Sequence, residues 1–160
     1  MALVKGFRSL NFDSLPSDNL GDLVIIEGPH LIPFEVKRVF FIVNTPFNVV
    51  RGQHAHRTLQ QVIFCPCGFC DFTIDDGFSK TVIRLNDPVK GLYLMPGLWR
   101  KFTNFSPDCV VMVLASDIYD EAEYIRDYEQ FLNYVGNGVK GRSLAGSLIN
   151  EASNKEIGDA

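Results

Sequence analysis

Between about residue 20 and residue 115 the chain is a succession of short Val-, Ile-, Phe- and Leu-rich runs separated by turn residues rather than by helix-period segments. The runs are DLVIIE, EVKRVFFIV, QQVIFC, FCDFTI, TVIRL, LYLM, WRKF and CVVMVLA. A parallel pair needs a crossover long enough to hold a helix, and no such crossover is present, so the pattern predicts an all-β antiparallel sandwich or small barrel. PCG at 66–68 and DDG at 75–77 are expected to close tight hairpins, because Gly and Asp tolerate the backbone angles such turns require. A P-loop, a GxGxxG after a strand and an internal repeat are all missing from the sequence, which sets aside the common nucleotide folds.

Only after Ser116 does the period change. Tyr124, Tyr128 and Phe131, or Ile125, Tyr128 and Leu132, recur at helical intervals. Asp120 followed by Glu123 predicts the start of a C-terminal helix and Gly136 its stop. From Gly136 to the end the chain is rich in Gly, Ser, Asn and charge, so 1–135 reads as one domain and 136–160 as a flexible tail.

At 160 residues and 46% hydrophobic, the chain can bury one substantial core. Fifteen Lys and Arg against 19 Asp and Glu give a net charge of −4, which offers no electrostatic reason to expect nucleic acid as a partner. The longest aliphatic run, VVMVLA at 110–115, is too short to cross a bilayer, so no membrane partner is expected and the protein is expected to be cytoplasmic. Cys65, Cys67 and Cys70 fall together in FCPCGFC, but Cys109 stands alone without a second CxxC, and the thiols are read as small buried hydrophobes of strands.

RGQHAHRTLQQ at 51–61 carries the chemistry. On a strand, alternation sends His54 and His56 to one face and Ala55 to the other. Gln60 and Gln61 likewise alternate, so one of them can share the histidine face. Imidazole is the side chain whose ordinary pKa suits proton transfer near neutrality.

Set among short strands, Gly52, His54, His56, Gln61 and Gly68 resemble the first signature of the cupin family, and Gly91, Pro96, Gly97 and Asn104 its second. The resemblance implies a cupin jelly roll or small barrel closed by the C-terminal helix. It also implies a departure: where a metal-binding cupin has a carboxylate and a third histidine, this chain has Gln61 and Arg100. A guanidinium cannot ligate a cation and repels one, so the site is expected to hold no metal and to use no cofactor.

KRVFFI, RGQHAHRTLQQ, GLYLMPGLWRKF and VVMVLASDIYDEAEYIRDYEQFL together are more specific. They resemble the sugar 3,4-ketoisomerases that act on dTDP-4-keto-6-deoxyglucose, over roughly residues 5 to 132. That resemblance implies an isomerase that moves the carbonyl from C4 to C3 through an enediol, a dTDP-linked keto sugar as ligand, and a homodimer with exchanged N-terminal strands. It also implies a product destined for an aminotransferase in deoxysugar biosynthesis. His54 and His56 are then the candidate catalytic groups, His56 as carbon base. Arg51, Arg38 and Arg100 are candidates for the diphosphate, Gln61 for a polar contact, and Trp99 and Tyr93 for stacking. Family members often carry a tyrosine in the strand that here reads RVFFIV, and Phe40 and Phe41 have no proton to give, so the proton for C4 comes from elsewhere. Arg100 in a histidine's place favours a gluco product. Two other classes remain open on the sequence alone, a metal-dependent cupin enzyme and a catalytically silent nucleotide-sugar-binding cupin.

Overall fold

The computed structural model describes residues 3–137; residues 138–160, most of the expected tail, lie outside the described residues. Strands are numbered in chain order. One five-stranded antiparallel sheet runs β1 (Phe7–Asn11), β9 (Lys90–Leu94), β6 (Gln61–Cys67), β11 (Val110–Ala115) and β4 (Arg38–Ile42). The other runs β12 (Tyr124–Ile125), β5 (Arg51–His56), β10 (Trp99–Thr103), β7 (Cys70–Asp75) and β8 (Lys80–Leu85), and β2 (Asp13–Leu15) pairs with β3 (Leu23–Ile25) apart from both.

The two large sheets face each other across a core. Ile63, Leu92, Leu94, Val111 and Val113 from the first meet Phe72, Ile74, Leu85 and Phe102 from the second. The alternate residues of the first sheet, Leu10, Val62, Phe64, Tyr93 and Leu114, point outward, where Phe12 and Ile32 cover them. A strand buried on both faces reads as a continuous apolar run, which is why β6 opens QVIFC rather than alternating. On the outer face of the second sheet, Ala55 and Ile125 are covered by Phe131 of helix α1 (128–137).

Two sequence expectations are corrected. PCG does not close a hairpin: β6 and β7 lie in different sheets, and the chain crosses the sandwich there. Gly68 makes the crossing at φ +65°, pinned by a hydrogen bond of 2.8 Å from the Phe69 N–H to Ser106 Oγ. DDG does close the β7–β8 hairpin, with Asp75 opposite Lys80. The helix, too, begins later than the Asp120–Glu123 pattern predicts. Asp120 does cap, accepting from Ala122 N–H at 2.9 Å, but only a 3₁₀ turn over Glu121–Glu123. The backbone then becomes extended at Tyr124, because Tyr124 and Ile125 pair with the free edge of β5 and bury Ile125. Pairing and burial outweigh a local capping preference worth about 1 kcal/mol. Asp127 then caps α1, accepting from Gln130 N–H at 2.8 Å, and Gly136 lies within the helix rather than beyond it.

A methyl group on Gly68 would stand 2.3 Å from Ser106 Oγ and 2.8 Å from Cys109 Cα. Gly68→Ala is therefore expected to destabilise the fold by more than the roughly 1–2 kcal/mol of a left-handed alanine alone, read from the midpoint of urea unfolding.

Candidate active site

The site is built on a fault in one strand pair. Between β5 and β10 the register pairs Arg100 with His54 and then Phe102 with Arg51, so Gly52 and Gln53 together face Lys101. Gly52 takes up the extra residue at φ +93°, as a β-bulge requires. Residues directly opposite in an antiparallel pair share a face, so Arg100 stands beside His54 on the inner side of the sheet. On the other edge of β5, Tyr124 is paired with His56, which brings a phenol to the same side.

These side chains line a cavity of about 210 Å³ at one end of the sandwich. Arg51, His54, His56, Gln61, Arg100 and Tyr124 form its polar wall, and Phe40, Ile63, Phe102 and Val113 its apolar one. The imidazoles of His54 and His56 are 4.9 Å apart, edge to face, and the Tyr124 ring packs on both, at 4.8 and 4.3 Å.

The polar groups here are buried and unsatisfied. His56 is 1% exposed and neither ring nitrogen has a hydrogen-bond partner. Arg100 is 3% exposed with Nη2 unpartnered. The lining includes no carboxylate among the described residues. Burial pulls the Arg100 guanidinium down to about 9, which still leaves it charged at neutral pH. Burial, then the positive charges of Arg100 and Arg126, push His54 down to about 3, with Glu121 opposing. His54 is consequently a neutral imidazole across the physiological range. A buried cation without a counter-charge costs free energy, and an anionic or electron-rich ligand would recover it.

The segment after β11 holds this wall in place. Glu123 accepts at 2.8 Å from both Thr58 N–H and Thr58 Oγ1, and at 3.1 Å from Leu59 N–H, so it buckles the end of β5 to the 3₁₀ turn. Glu121 accepts from Arg126 at 2.7 and 3.0 Å and also from the Tyr119 hydroxyl. The Arg126 guanidinium lies over the Tyr124 ring at 4.4 Å.

Of the candidates drawn from the sequence, Arg51, His54, His56, Gln61 and Arg100 come together. Tyr93 and Trp99 do not line the cavity. Each is one residue out of phase with the inner face: Tyr93 belongs to the outer cluster of the first sheet and donates to Gln60, and Trp99 packs under α1 against Tyr128 and Phe131. Arg38 lies beside the cavity wall, its guanidinium over the rings of Phe40 and Tyr119 at 5.3 and 5.8 Å, with its buried Nε unpartnered. Tyr124 was missed as a site residue because its helical spacing hid it. The cysteines are free, and Cys65, Cys70 and Cys109 sit in the main core.

Residues 5–136 match the family model described as FdtA: WxcM-like, C-terminal. The chain belongs to this family. It is 46% identical over 128 residues, covering 80% of this chain and 91% of the relative, to the TDP-4-oxo-6-deoxy-alpha-D-glucose-3,4-oxoisomerase of Aneurinibacillus thermoaerophilus. Among solved structures it is similar to a histidine variant of the 3,4-ketoisomerase QdtA from Thermoanaerobacterium thermosaccharolyticum in complex with TDP-4-keto-6-deoxyglucose. That likeness has 35% identity and a TM-score of 0.81, covering 84% of this chain and 97% of that one. It is also similar to the WlaRB TDP-quinovose 3,4-ketoisomerase of Campylobacter jejuni, at 43% identity and TM-score 0.77 over 81% of this chain and 99% of that one. The cupin-type fold is thus that of a chain in a sugar-nucleotide ketoisomerase family, and Gln61 and Arg100 both line its cavity.

The depressed His54 predicts that its ring stays neutral well below the ordinary imidazole range. In NMR titration its Cε1–H shift is expected to stay flat from pH 8 to pH 5; a midpoint near 6.5 would contradict the burial and charge argument.

Proposed function

We propose that this chain moves the carbonyl of dTDP-4-keto-6-deoxyglucose from C4 to C3, giving a dTDP-3-keto-6-deoxyhexose that an aminotransferase can take up. The observation that carries the reading is the imidazole pair, with unpartnered His56 nitrogens, set with the buried Arg100 guanidinium in a cavity that no carboxylate lines among the described residues. A ketone at C4 acidifies the proton on C3, and a neutral imidazole is matched to removing it. His56 takes that proton. The electron pair forms the C3–C4 double bond, and the C4 oxygen becomes an enediolate oxygen beside Arg100. A fixed cation in a dry site lowers the cost of the charge that develops there. His54 accepts a hydrogen bond from the neighbouring hydroxyl and so orients it, and Gln61, 3% exposed on the facing sheet, offers an amide to the sugar.

Arg51, exposed at the mouth, and Arg38, beside Tyr119, hold the diphosphate by charge and paired N–H donors. The gluco configuration at C4 fits Arg100 and the relative named for TDP-quinovose. The working molecule is a homodimer in the cytoplasm that uses no metal or cofactor. Support for the dimer is the open edge of the first sheet, where Val39, Phe41 and Val43 of β4 and its continuation are about half exposed, together with Leu15, Leu20 and Leu23 of the N-terminal segment. An apolar edge of this kind is a pairing liability unless a second copy covers it.

Incubation with dTDP-4-keto-6-deoxyglucose in D2O, followed by NMR, tests the reading. The wild-type chain is expected to exchange the C3 proton and yield the 3-keto sugar. His56→Asn is expected to bind TDP normally and to lose about two to four powers of ten in turnover, the usual worth of a general acid or base. No exchange and no conversion by the wild type would leave a nucleotide-sugar-binding protein instead. Sedimentation of the same sample at twice the chain mass supports the dimer, and a monomer at micromolar concentration rules it out.

A further inference from the structure

The reaction leaves one group unnamed, the acid that protonates C4. Phe40 and Phe41 carry no exchangeable proton, and among the described residues lining the cavity Tyr124 has the one hydroxyl. Its placement is specific. Tyr124 is the Cα partner of His56 across the β12–β5 pair, so its side chain shares the inner face with both imidazoles. Its ring centroid is 4.3 Å from that of His56 and 4.8 Å from that of His54. Its hydroxyl makes no hydrogen bond to a described residue, unlike the hydroxyls of Tyr93, Tyr119, Tyr128 and Tyr134, each of which donates to an oxygen. The chain also maintains an exposed cation on this ring: Arg126 lies over it at 4.4 Å and is locked in that pose by both oxygens of Glu121.

Resting on the ketoisomerase reading of the site, we infer that Tyr124 is a catalytic residue, the acid that delivers a proton to C4 of the enediolate. The balance closes within the site. His56 removes the C3 proton and holds it. As the electron pair of the C3–C4 double bond takes the Tyr124 hydroxyl proton at C4, the pair of the O3–H bond forms the C3 carbonyl, and the O3 proton passes to the phenolate oxygen. The His56 imidazolium returns its proton to the C4 oxygen. Substrate and product differ only in where the carbonyl lies, and both side chains end as they began. Arg126 and Arg100 lie close to the negative charge that grows on the phenol oxygen as its proton leaves, which is where a fixed cation speeds a transfer most. The mouth of the cavity therefore divides the work: C3 is served from β5 and C4 from β12.

Tyr124→Phe keeps the ring, the packing on both histidines and the Arg126 stack, and removes the proton alone. The experiment follows C3 deuterium exchange and C4 conversion separately, in D2O, with dTDP-4-keto-6-deoxyglucose. Tyr124→Phe is expected to exchange C3 within about threefold of wild type while forming product at least about 100-fold more slowly, the low end of what a general acid contributes. Conversion at the wild-type rate overturns the inference. So does an equal loss of C3 exchange and conversion, since the phenol would then be positioning the histidines rather than supplying the C4 proton. A wild-type chain that exchanges nothing is a different result, because it removes the ketoisomerase reading itself.

Discussion

A buried guanidinium that shares a cavity with two imidazoles and, among the described residues, with no carboxylate sets the terms for the rest of this molecule. Arg100 is buried, charged and partly unpartnered, and burial, reinforced by the charges of Arg100 and Arg126, holds His54 in the neutral form. That arrangement costs stability and persists only because the two sheets on either side of it are well packed. Phe72, Ile74, Leu94 and Val111 are all fully buried a short way along the same sandwich. The site is thus an unsatisfied polar pocket at one end of a dry core, and what would satisfy it is a ligand rich in oxygen.

The segment Tyr119–Arg126 has two jobs separated by two residues. Glu123 works on the backbone, tying the loop after β5 to the 3₁₀ turn through three hydrogen bonds. Glu121 works on side chains, fixing Arg126 over Tyr124. Because β12 is only two residues long, little of its own pairing energy holds it to β5, and these carboxylates supply the difference. Burial of Ile125 against Ala55 and Phe131 gives the same segment an apolar anchor.

Cavity placement followed a rule of parity that the sequence states only in part. His54 and His56 share a face because they are two apart, and Ala55 falls on the other side among Ile125 and Phe131. Gln61 faces the cavity while Gln60 accepts from Tyr93 on the outside. Tyr93 and Trp99 failed as lining residues on the same rule, each being the odd member beside an inward neighbour, Leu94 and Arg100. Motif spacing places such residues near the site in the chain. Which of two neighbours points inward depends on where the bulge at Gly52 and the partner strands set the phase.

By itself the sequence determined the class of fold, the histidine pair, the motif segments that carry Gln61 and Arg100, and the family. These are written in local chemistry, in runs of β-branched residues, turn glycines and fixed spacings. Only the tertiary structure decided that PCG crosses between sheets, that Tyr124 leaves a helical pattern to pair with β5, and that Arg100 is buried in a cavity with no carboxylate among the described residues lining it. Each of those outcomes depends on contacts between segments tens of residues apart, and such contacts outweigh a local preference of about 1 kcal/mol whenever they bury a side chain the size of Ile125.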